Sequence, residues 1–523
     1  MATDREQQQE DVSGNPMEIE LDDELWFNQG YEQAMAGDLP GAIALWDKVL
    51  AVKPDNDSAW YNRGIVLDDL GRIEEAIASY DKALAIKPDN DAAWYNRGVA
   101  LEELGRLEEA IASYDKTLAI KPDDHAAWYN RGIALENLGQ LEEALASFDK
   151  ALAIKPDNDA AWYNRGVALE ELGRLDAAIA SYDKALVTKP DNQVAWYKRG
   201  MALKNLGRLT EAIASFDKTL KLKPDAYEVW LHQAQALGNL GEFERAIASL
   251  DKALELKPDS YEAWYNRSKA LDKLGELEKA IASLDKALEL KPSDETTWCN
   301  RSIALRKLGR FEEAIASCDK ALELKPNSDE AWNNRGIALR QLGKLEEALA
   351  DFNKAIEIKP DNDAAWYNRG ILLGNLGRLE DEIASYDKAL ELKPDKESAW
   401  YNRGYALMNL GQFEKAIASY DKAIELKADD DEAWNNRGIA LKNLGRLEEA
   451  IASYDKALQF NPSNDEAWRN RGIALKNLGR FEEVIPYFDK ALAVEADEEF
   501  ATDNKFFRKA FGWLLGTPRQ SDR

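Results

Sequence analysis

Residues 57–90 read DSAWYNRGIVLDDLGRIEEAIASYDKALAIKPDN, and the apolar spacing in this stretch decides the fold. Trp60, Gly64, Leu67 and Leu70 follow one another at intervals of four, three and three, which is one face of an α-helix. Ala76, Tyr80, Ala83 and Leu84 mark the same kind of face on a second helix. Gly71 interrupts the pattern where a helix-ending glycine belongs. Pro88 stops the second helix, because it has no amide donor and clashes with the preceding turn. The stretch therefore predicts a helical hairpin whose helices have about 13 residues and span roughly 20 Å each.

Tryptophan shows that this hairpin is repeated. Trp26, Trp60, Trp94, Trp128, Trp162, Trp196, Trp230, Trp264, Trp298, Trp332, Trp366, Trp400, Trp434 and Trp468 are each 34 residues apart, and only Trp46 and Trp513 fall off the series. With this Trp at position 4, fourteen units run 23–56, 57–90 and onward every 34 residues to 465–498. The turn glycine recurs in all fourteen units, from Gly37 to Gly479, position 8 is Gly in eleven, and position 20 is mostly Ala. Small residues at a helix contact let neighbouring backbones approach while large rings fill the space around them. One such hairpin cannot bury its own apolar face, but stacked hairpins share a continuous core.

The spacing carried by Trp60, Gly64, Gly71, Ala76, Tyr80, Ala83 and Pro88 resembles the tetratricopeptide repeat, and the resemblance covers 23–498. It implies an all-α, right-handed α-solenoid superhelix of fourteen tandem hairpins, with the first helix of each pair lining a concave groove that binds peptides or protein segments. Two units lack the closing proline, having Ala428 and Ala496, and the second of these marks the end of the array. The near-identical WYNRGxAL copies resemble bacterial, especially cyanobacterial, multi-repeat proteins of this type.

The resemblance places positions 2, 5, 6, 9, 12 and 13 on the concave face. Position 6 is Asn in twelve units: Asn28, Asn62, Asn96, Asn130, Asn164, Asn266, Asn300, Asn334, Asn368, Asn402, Asn436 and Asn470. An amide offers both a donor and an acceptor, so a track of them can pair with the backbone of an extended peptide whatever its sequence. This is similar to the asparagine ladder of other family members. The plainer alternative is a copied residue without a role, although Asn inside a helix costs up to about 0.7 kcal/mol against Ala. Tyr at position 5 (Tyr61, Tyr95, Tyr129, Tyr163, Tyr197, Tyr265, Tyr367, Tyr401) either adds stacking surface or simply packs on the adjacent helix.

Positions 12 and 13 change sign along the chain. Units two to five carry Asp68/Asp69, Glu102/Glu103, Glu136/Asn137 and Glu170/Glu171. Later units carry Lys204, Lys273, Arg306/Lys307, Arg340, Lys442 and Lys476. The expectation is a groove acidic near its N-terminal half and basic toward its C-terminal half, which would orient a charged ligand and speed its encounter; the alternative is drift on a solvated face. Arg at position 7 and Asp at position 25 are expected to pair with each other rather than to bind an anion. Units seven to nine replace the position-8 Gly with Ala234, Ser268 and Ser302 and the position-24 ring with Leu250, Leu284 and Cys318, and Lys198 and His232 interrupt the Asn track just before. The two helices are expected to sit differently there.

Composition bounds the rest. The net charge of −28 repels phosphate backbones and argues against a nucleic-acid partner. Two cysteines, Cys299 and Cys318, form no disulfide framework and fit a reducing cytoplasm. The N-terminus has no apolar core of a secretory signal, and no run of 18 apolar residues occurs, so a soluble chain is expected. Residues 1–22 are expected to be a disordered acidic tail. In 499–523, Phe500, Phe507, Phe511, Leu514 and Leu515 share a helical face beside Lys505, Arg508 and Lys509. This predicts a capping helix for the end of the stack, and 499–515 is the one stretch suited to membrane contact. The two histidines, His125 and His232, stand in different units, and no phosphate loop, nucleophile elbow or HExxH occurs. No catalytic residue, metal or cofactor is expected. The function these readings support is a non-enzymatic cytoplasmic scaffold holding extended segments of partner proteins, for complex assembly or a chaperone-like role. The alternative is a substrate-recognition or regulatory arm of an enzyme, such as a glycosyltransferase, carried on a partner chain.

Overall fold

The computed structural model describes residues 16–480 and Glu483, with side chains from Asp23 on. The described residues hold twenty-seven helices and no strand. They pair as the period requires: Asp57–Asp69 with Ile73–Ile86, then Asp91–Glu103 with Leu107–Ile120, and so on to Asp465–Asn477. The first helix begins at Pro16 and runs to Met35, so residues 16–22, expected in the tail, are helical. Proline suits a first helical position, where its missing amide would have no partner in any case. Residues 1–15, the second helix of hairpin fourteen apart from Glu483, and the expected cap at 499–523 lie outside the described residues.

Each hairpin is closed by local chemistry. Gly71 takes φ +72°, a left-handed conformation that side chains disfavour. This lets the Arg72 amide donate to the Leu67 carbonyl and the Gly71 amide to that of Asp68, each at 2.8 Å. The orphaned carbonyls of the first helix are thereby used. Asn56 Oδ1 accepts from the Ala59 amide at 2.9 Å and caps the start of the next first helix. The Trp60 indole N–H reaches back across the loop to the Pro54 carbonyl at 3.0 Å. In hairpin thirteen the acceptor is the Ala428 carbonyl, also at 3.0 Å. The missing proline therefore leaves this tie intact, because the bond uses backbone and not ring.

The core between the two helices is a ring seated on a glycine. A Cβ added to Gly64 would stand 2.5 Å from Cε1 of the buried Tyr80. Trp46 takes the same place in hairpin one, over Gly30; this explains why it falls off the tryptophan series. In hairpins seven to nine both partners change together. Ala234, Ser268 and Ser302 add volume at position 8, and Leu250, Leu284 and Cys318 remove it at position 24, all buried. The new hydroxyls donate to backbone carbonyls, Ser268 to Tyr265 at 2.6 Å and Ser302 to Cys299 at 2.7 Å. Volume is exchanged between the helices and both new hydroxyls are satisfied.

The chain divides into two compact units, Met1–Pro258 and Asp259–Arg523, called here the N-terminal and C-terminal halves. Within each, the second helix of one hairpin packs on the first helix of the next. Neighbouring first helices also approach one another directly, as Asp57–Asp69 does Asp91–Glu103 and Glu295–Lys307 does Asp329–Gln341, whereas no two second helices come as close among the described residues. The first helices are thus the inner line of each stack. Arg97 fixes the register: its Nε donates to Asp81 of the preceding hairpin at 2.6 Å and its Nη1 to Ser113 of its own at 2.7 Å, with the guanidinium 5.8 Å from the Trp94 ring centre. The expected pairing of positions 7 and 25 therefore runs between hairpins. The Asp81 carboxylate is exposed, so the pair sets alignment more than stability.

Candidate functional site

The inner line carries the position-6 amides, and the structure shows what orients them. Asn96, Asn130 and Asn164 donate through Nδ2 to the hydroxyls of Tyr61, Tyr95 and Tyr129 at 3.0 to 3.2 Å. Asn300, Asn402 and Asn436 do the same to Tyr265, Tyr367 and Tyr401. In each case the tyrosine stands at position 5 of the preceding hairpin. Where position 5 is Asn333 or Asn435, its Oδ1 accepts instead, from Asn368 at 3.0 Å and Asn470 at 3.1 Å. Where it is Phe27 or Cys299, no acceptor stands there: Asn62 is half-buried and Asn334 is almost fully buried with an Nδ2 that finds no partner. Asn28, with no hairpin before it in the array, is exposed, and Asn266 is half-buried. Asn436 and Asn470 join Asn334 among the buried residues. The amides thus link hairpin to hairpin, a role that the sequence reading gave to neither Asn nor Tyr. The signal lay in residues 35 apart, Tyr at position 5 followed by Asn at position 6 of the next unit.

Position 12 is acidic in hairpins two to five and basic in hairpins nine, ten, thirteen and fourteen, with Lys204 and Asp272 running against their halves. In the N-terminal half Glu102 and Glu170 are half-buried, and each accepts from the hydroxyl of its own hairpin's ring, Tyr114 and Tyr182, at 2.8 Å. Lys198 stands 3.5 Å from Glu170. In hairpin four the ring is Phe148, which has no hydroxyl. Burial, with the Glu171 charge next, pushes the Glu136 carboxyl up to about 7. Burial, then the charges of Glu103 and Asp69, also raises Asp68, one of whose carboxylate oxygens is sealed without a partner. Lys204 Nζ donates to Gln235 Oε1 at 3.1 Å and lies 3.2 Å from His232 Nδ1.

In the C-terminal half, Arg306 and Arg340 are half-buried, and burial lowers the pKa of both. Each has an Nε sealed from water with no acceptor. Burial also lowers the half-buried Lys442. Lys476 is exposed. Cys299 and Cys318 are buried and unpaired with each other, and burial raises both thiols, that of Cys318 to about 11. A thiol held so far from its thiolate is a packing group. Among the described residues no group of three His, Cys, Asp or Glu side chains is placed to hold a metal ion. No described helix is long and apolar enough to cross a membrane.

Stacked helix pairs that leave an inner line of oriented amides and half-buried charges define a helical-repeat interaction protein. Family models for the tetratricopeptide repeat match residues 121–159, 129–193, 231–295 and 401–465, then 92–124, 194–226 and 296–328, and 317–350 and 453–485. A further model, described as TPR repeat, matches 67–105, 336–377 and 375–411. The chain belongs to the tetratricopeptide-repeat family and is a protein-interaction scaffold; such repeats are in general non-catalytic. Among solved structures it is similar to the APC/C hetero-tetramer Cut9–Hcn1, with 16% identity over 88% of this chain and 98% of that one and a TM-score of 0.39. It is also similar to YrrB, a TPR protein with an unusual peptide-binding site, at 25% identity over 36% of this chain and 96% of that one, TM-score 0.33. MamA matches at 26% identity over 32% of this chain and 92% of that one, TM-score 0.32. A comparison with curated proteins gave no match.

Proposed function

We propose that the inner line of first helices holds extended segments of partner proteins, for complex assembly or a chaperone-like role. The observation that carries this reading is the state of the position-6 amides. Asn402 uses one amide proton on the neighbouring Tyr367, which fixes the side chain, and keeps Oδ1 and the second proton without a partner among the described residues. An oriented amide with one donor and one acceptor left matches the peptide backbone, and fixing it beforehand lowers the cost of ordering it on binding. Position 12 adds charge, acids at Glu102, Glu136 and Glu170 in early hairpins and bases at Arg306, Arg340 and Lys442 in late ones. Charge of this kind selects among segments and speeds their encounter. A reducing, cytoplasmic setting belongs to the same reading, supported by two buried free thiols.

The test separates binding from architecture. Tyr367→Phe removes the bond between hairpins and leaves the Asn402 amide in place; Asn402→Ala removes both. On an array of extended peptides, Asn402→Ala is expected to weaken binding broadly and Tyr367→Phe to weaken it little. Equal losses, or none in either variant, would show that the amides serve the stack alone. An enzyme bound in fixed ratio to the purified chain, with peptides ignored, would favour the recognition-arm reading.

A further inference from the structure

Among the described residues, hairpins nine and ten leave two guanidinium groups unneutralised. Arg306 ends the first helix Glu295–Lys307, and Arg340 stands at the same position of the next first helix, Asp329–Gln341. Neither guanidinium makes a hydrogen bond or ion pair with a described residue, and each has a sealed Nε without an acceptor. Six residues before Arg340 on that same helix stands Asn334, 7% exposed, whose Nδ2 is also sealed and unpartnered, because position 5 of hairpin nine is Cys299 and not tyrosine. Buried donors are almost always satisfied, so three on two neighbouring inner helices call for an explanation.

The acids that might have answered these charges are engaged elsewhere. Asp272, at position 12 of hairpin eight, holds Lys307 Nζ at 2.7 and 2.8 Å. Arg335, on the same helix as Arg340, takes Asp319 at 2.6 Å and both oxygens of Asp351 at 2.8 Å. The ring at position 24, which supplies a hydroxyl beside Glu102 and Glu170, is Cys318 in hairpin nine and Phe352 in hairpin ten. The Arg306 charge further lowers the pKa of Arg340 after burial and the nearby tyrosine are counted, as expected of two like charges within reach of each other.

We propose that Arg306, Arg340 and Asn334 form a receptor for a phosphate monoester carried on a bound protein segment. The inference rests on the peptide reading above and names the chemistry of one of its subsites. Two positive charges in a half-buried site ask for a dianion. A phosphomonoester carries close to two negative charges at neutral pH and three acceptor oxygens, one for each donor group. A single carboxylate leaves one guanidinium unanswered, and a peptide backbone leaves both. The planar guanidinium fork matches phosphate oxygens with charge-assisted bonds.

The experiment uses the full chain and four probes: inorganic phosphate, and one short extended peptide in three forms, with serine, phosphoserine or glutamate at its centre. Titration calorimetry is expected to show the phosphoserine form binding about tenfold or more tighter than the other two, the scale of one strong charge-assisted bond. In Arg306→Met/Arg340→Met the preference is expected to vanish, the phosphoserine form binding no tighter than the serine and glutamate forms. Arg306→Lys/Arg340→Lys keeps the charge without the fork and is expected to retain part of the preference, which guards against a variant that fails to fold. A preference that survives Met at both positions, or equal binding of all three peptides, overturns the phosphate inference and leaves the peptide reading standing. Binding of inorganic phosphate that the Met variant abolishes, with no peptide bound, supports the anion site and sinks the peptide reading.

Discussion

Hairpins three and nine are built on the same plan and treat the charge on their inner helix in opposite ways. In hairpin three, Gly98 leaves room for the whole Tyr114 ring, and the hydroxyl of that ring reaches Glu102 at 2.8 Å. The inner acid is satisfied within its own hairpin. In hairpin nine, Ser302 fills the place of the glycine, Cys318 fills that of the tyrosine, and Arg306 receives nothing from inside. The exchange at positions 8 and 24, made for volume, also removes the hydroxyl that answers the acid at position 12 in hairpin three. Hairpin four shows the intermediate case. Phe148 keeps the ring but lacks the hydroxyl, and Glu136 stands half-buried with its carboxyl pushed up to about 7.

The largest test of this contrast is the ring itself. Tyr114→Ala is expected to cost about 3–5 kcal/mol, as for other large buried rings, because the seat on Gly98 cannot close over the cavity. Cys318→Ala removes one buried sulfur and should cost much less. Urea melts of both variants decide this, and equal losses would break the contrast. Position 8 should respond next, in opposite directions of substitution. Gly98→Ala places a Cβ 2.6 Å from Tyr114 Cε1, and overpacking a closed core costs about 1–3 kcal/mol, more than the helix propensity of alanine returns. Ala234→Gly, where the partner is Leu250, should instead lose about 0.5–1 kcal/mol through propensity alone. Thermal melts in which Gly98→Ala stabilises the chain would show that the ring gives way.

Much of this was legible in the sequence, and the illegible part has a physical cause. The period of Trp60, Trp94 and Trp128, the turn at Gly71 and the stop at Pro88 are local signals, so the hairpins and their boundaries follow from residues close together in the chain. The Arg97–Asp81 pair was also readable, since both positions recur and their charges are opposite. What a linear reading does not give is direction. The Asn130 amide and the Tyr95 hydroxyl meet only because two hairpins stack at a particular register, and Lys307 rather than Arg306 is the residue that reaches Asp272. Residue types reveal which charges exist; packing decides which remain.

The bonds between hairpins give the third test. Tyr95→Phe removes the acceptor between hairpins from the Asn130 amide and is expected to cost about 1 kcal/mol. Asn334→Leu, at a junction between hairpins where that bond is missing, removes an amide whose Nδ2 is already unpartnered and should be neutral or stabilising. Chemical denaturation read by the shift in midpoint distinguishes the two, and a loss at Asn334 as large as that at Tyr95 would mean that Asn334 has a structural partner after all.

The smallest expected effect is the titration of Glu136, and its sign follows from where the proton sits. Folding raises this carboxyl from an ordinary value near 4.5 to about 7, so the folded chain holds the proton more tightly than the unfolded chain. The stabilisation from that proton is complete below pH 4.5 and is lost as pH rises through 7. Glu136 is only half-buried, and solvent screening reduces the effect to about 1 kcal/mol or less. Glu136→Gln removes the ionising group and should flatten this part of the pH dependence, raising the melting temperature at pH 8 more than at pH 5. Phe148→Tyr supplies the hydroxyl that hairpin three already has, and an NMR titration should then find the Glu136 midpoint lower. A midpoint that stays where it was would mean that the position-24 hydroxyl does not set the charge at position 12, and the contrast between the hairpins would reduce to volume alone.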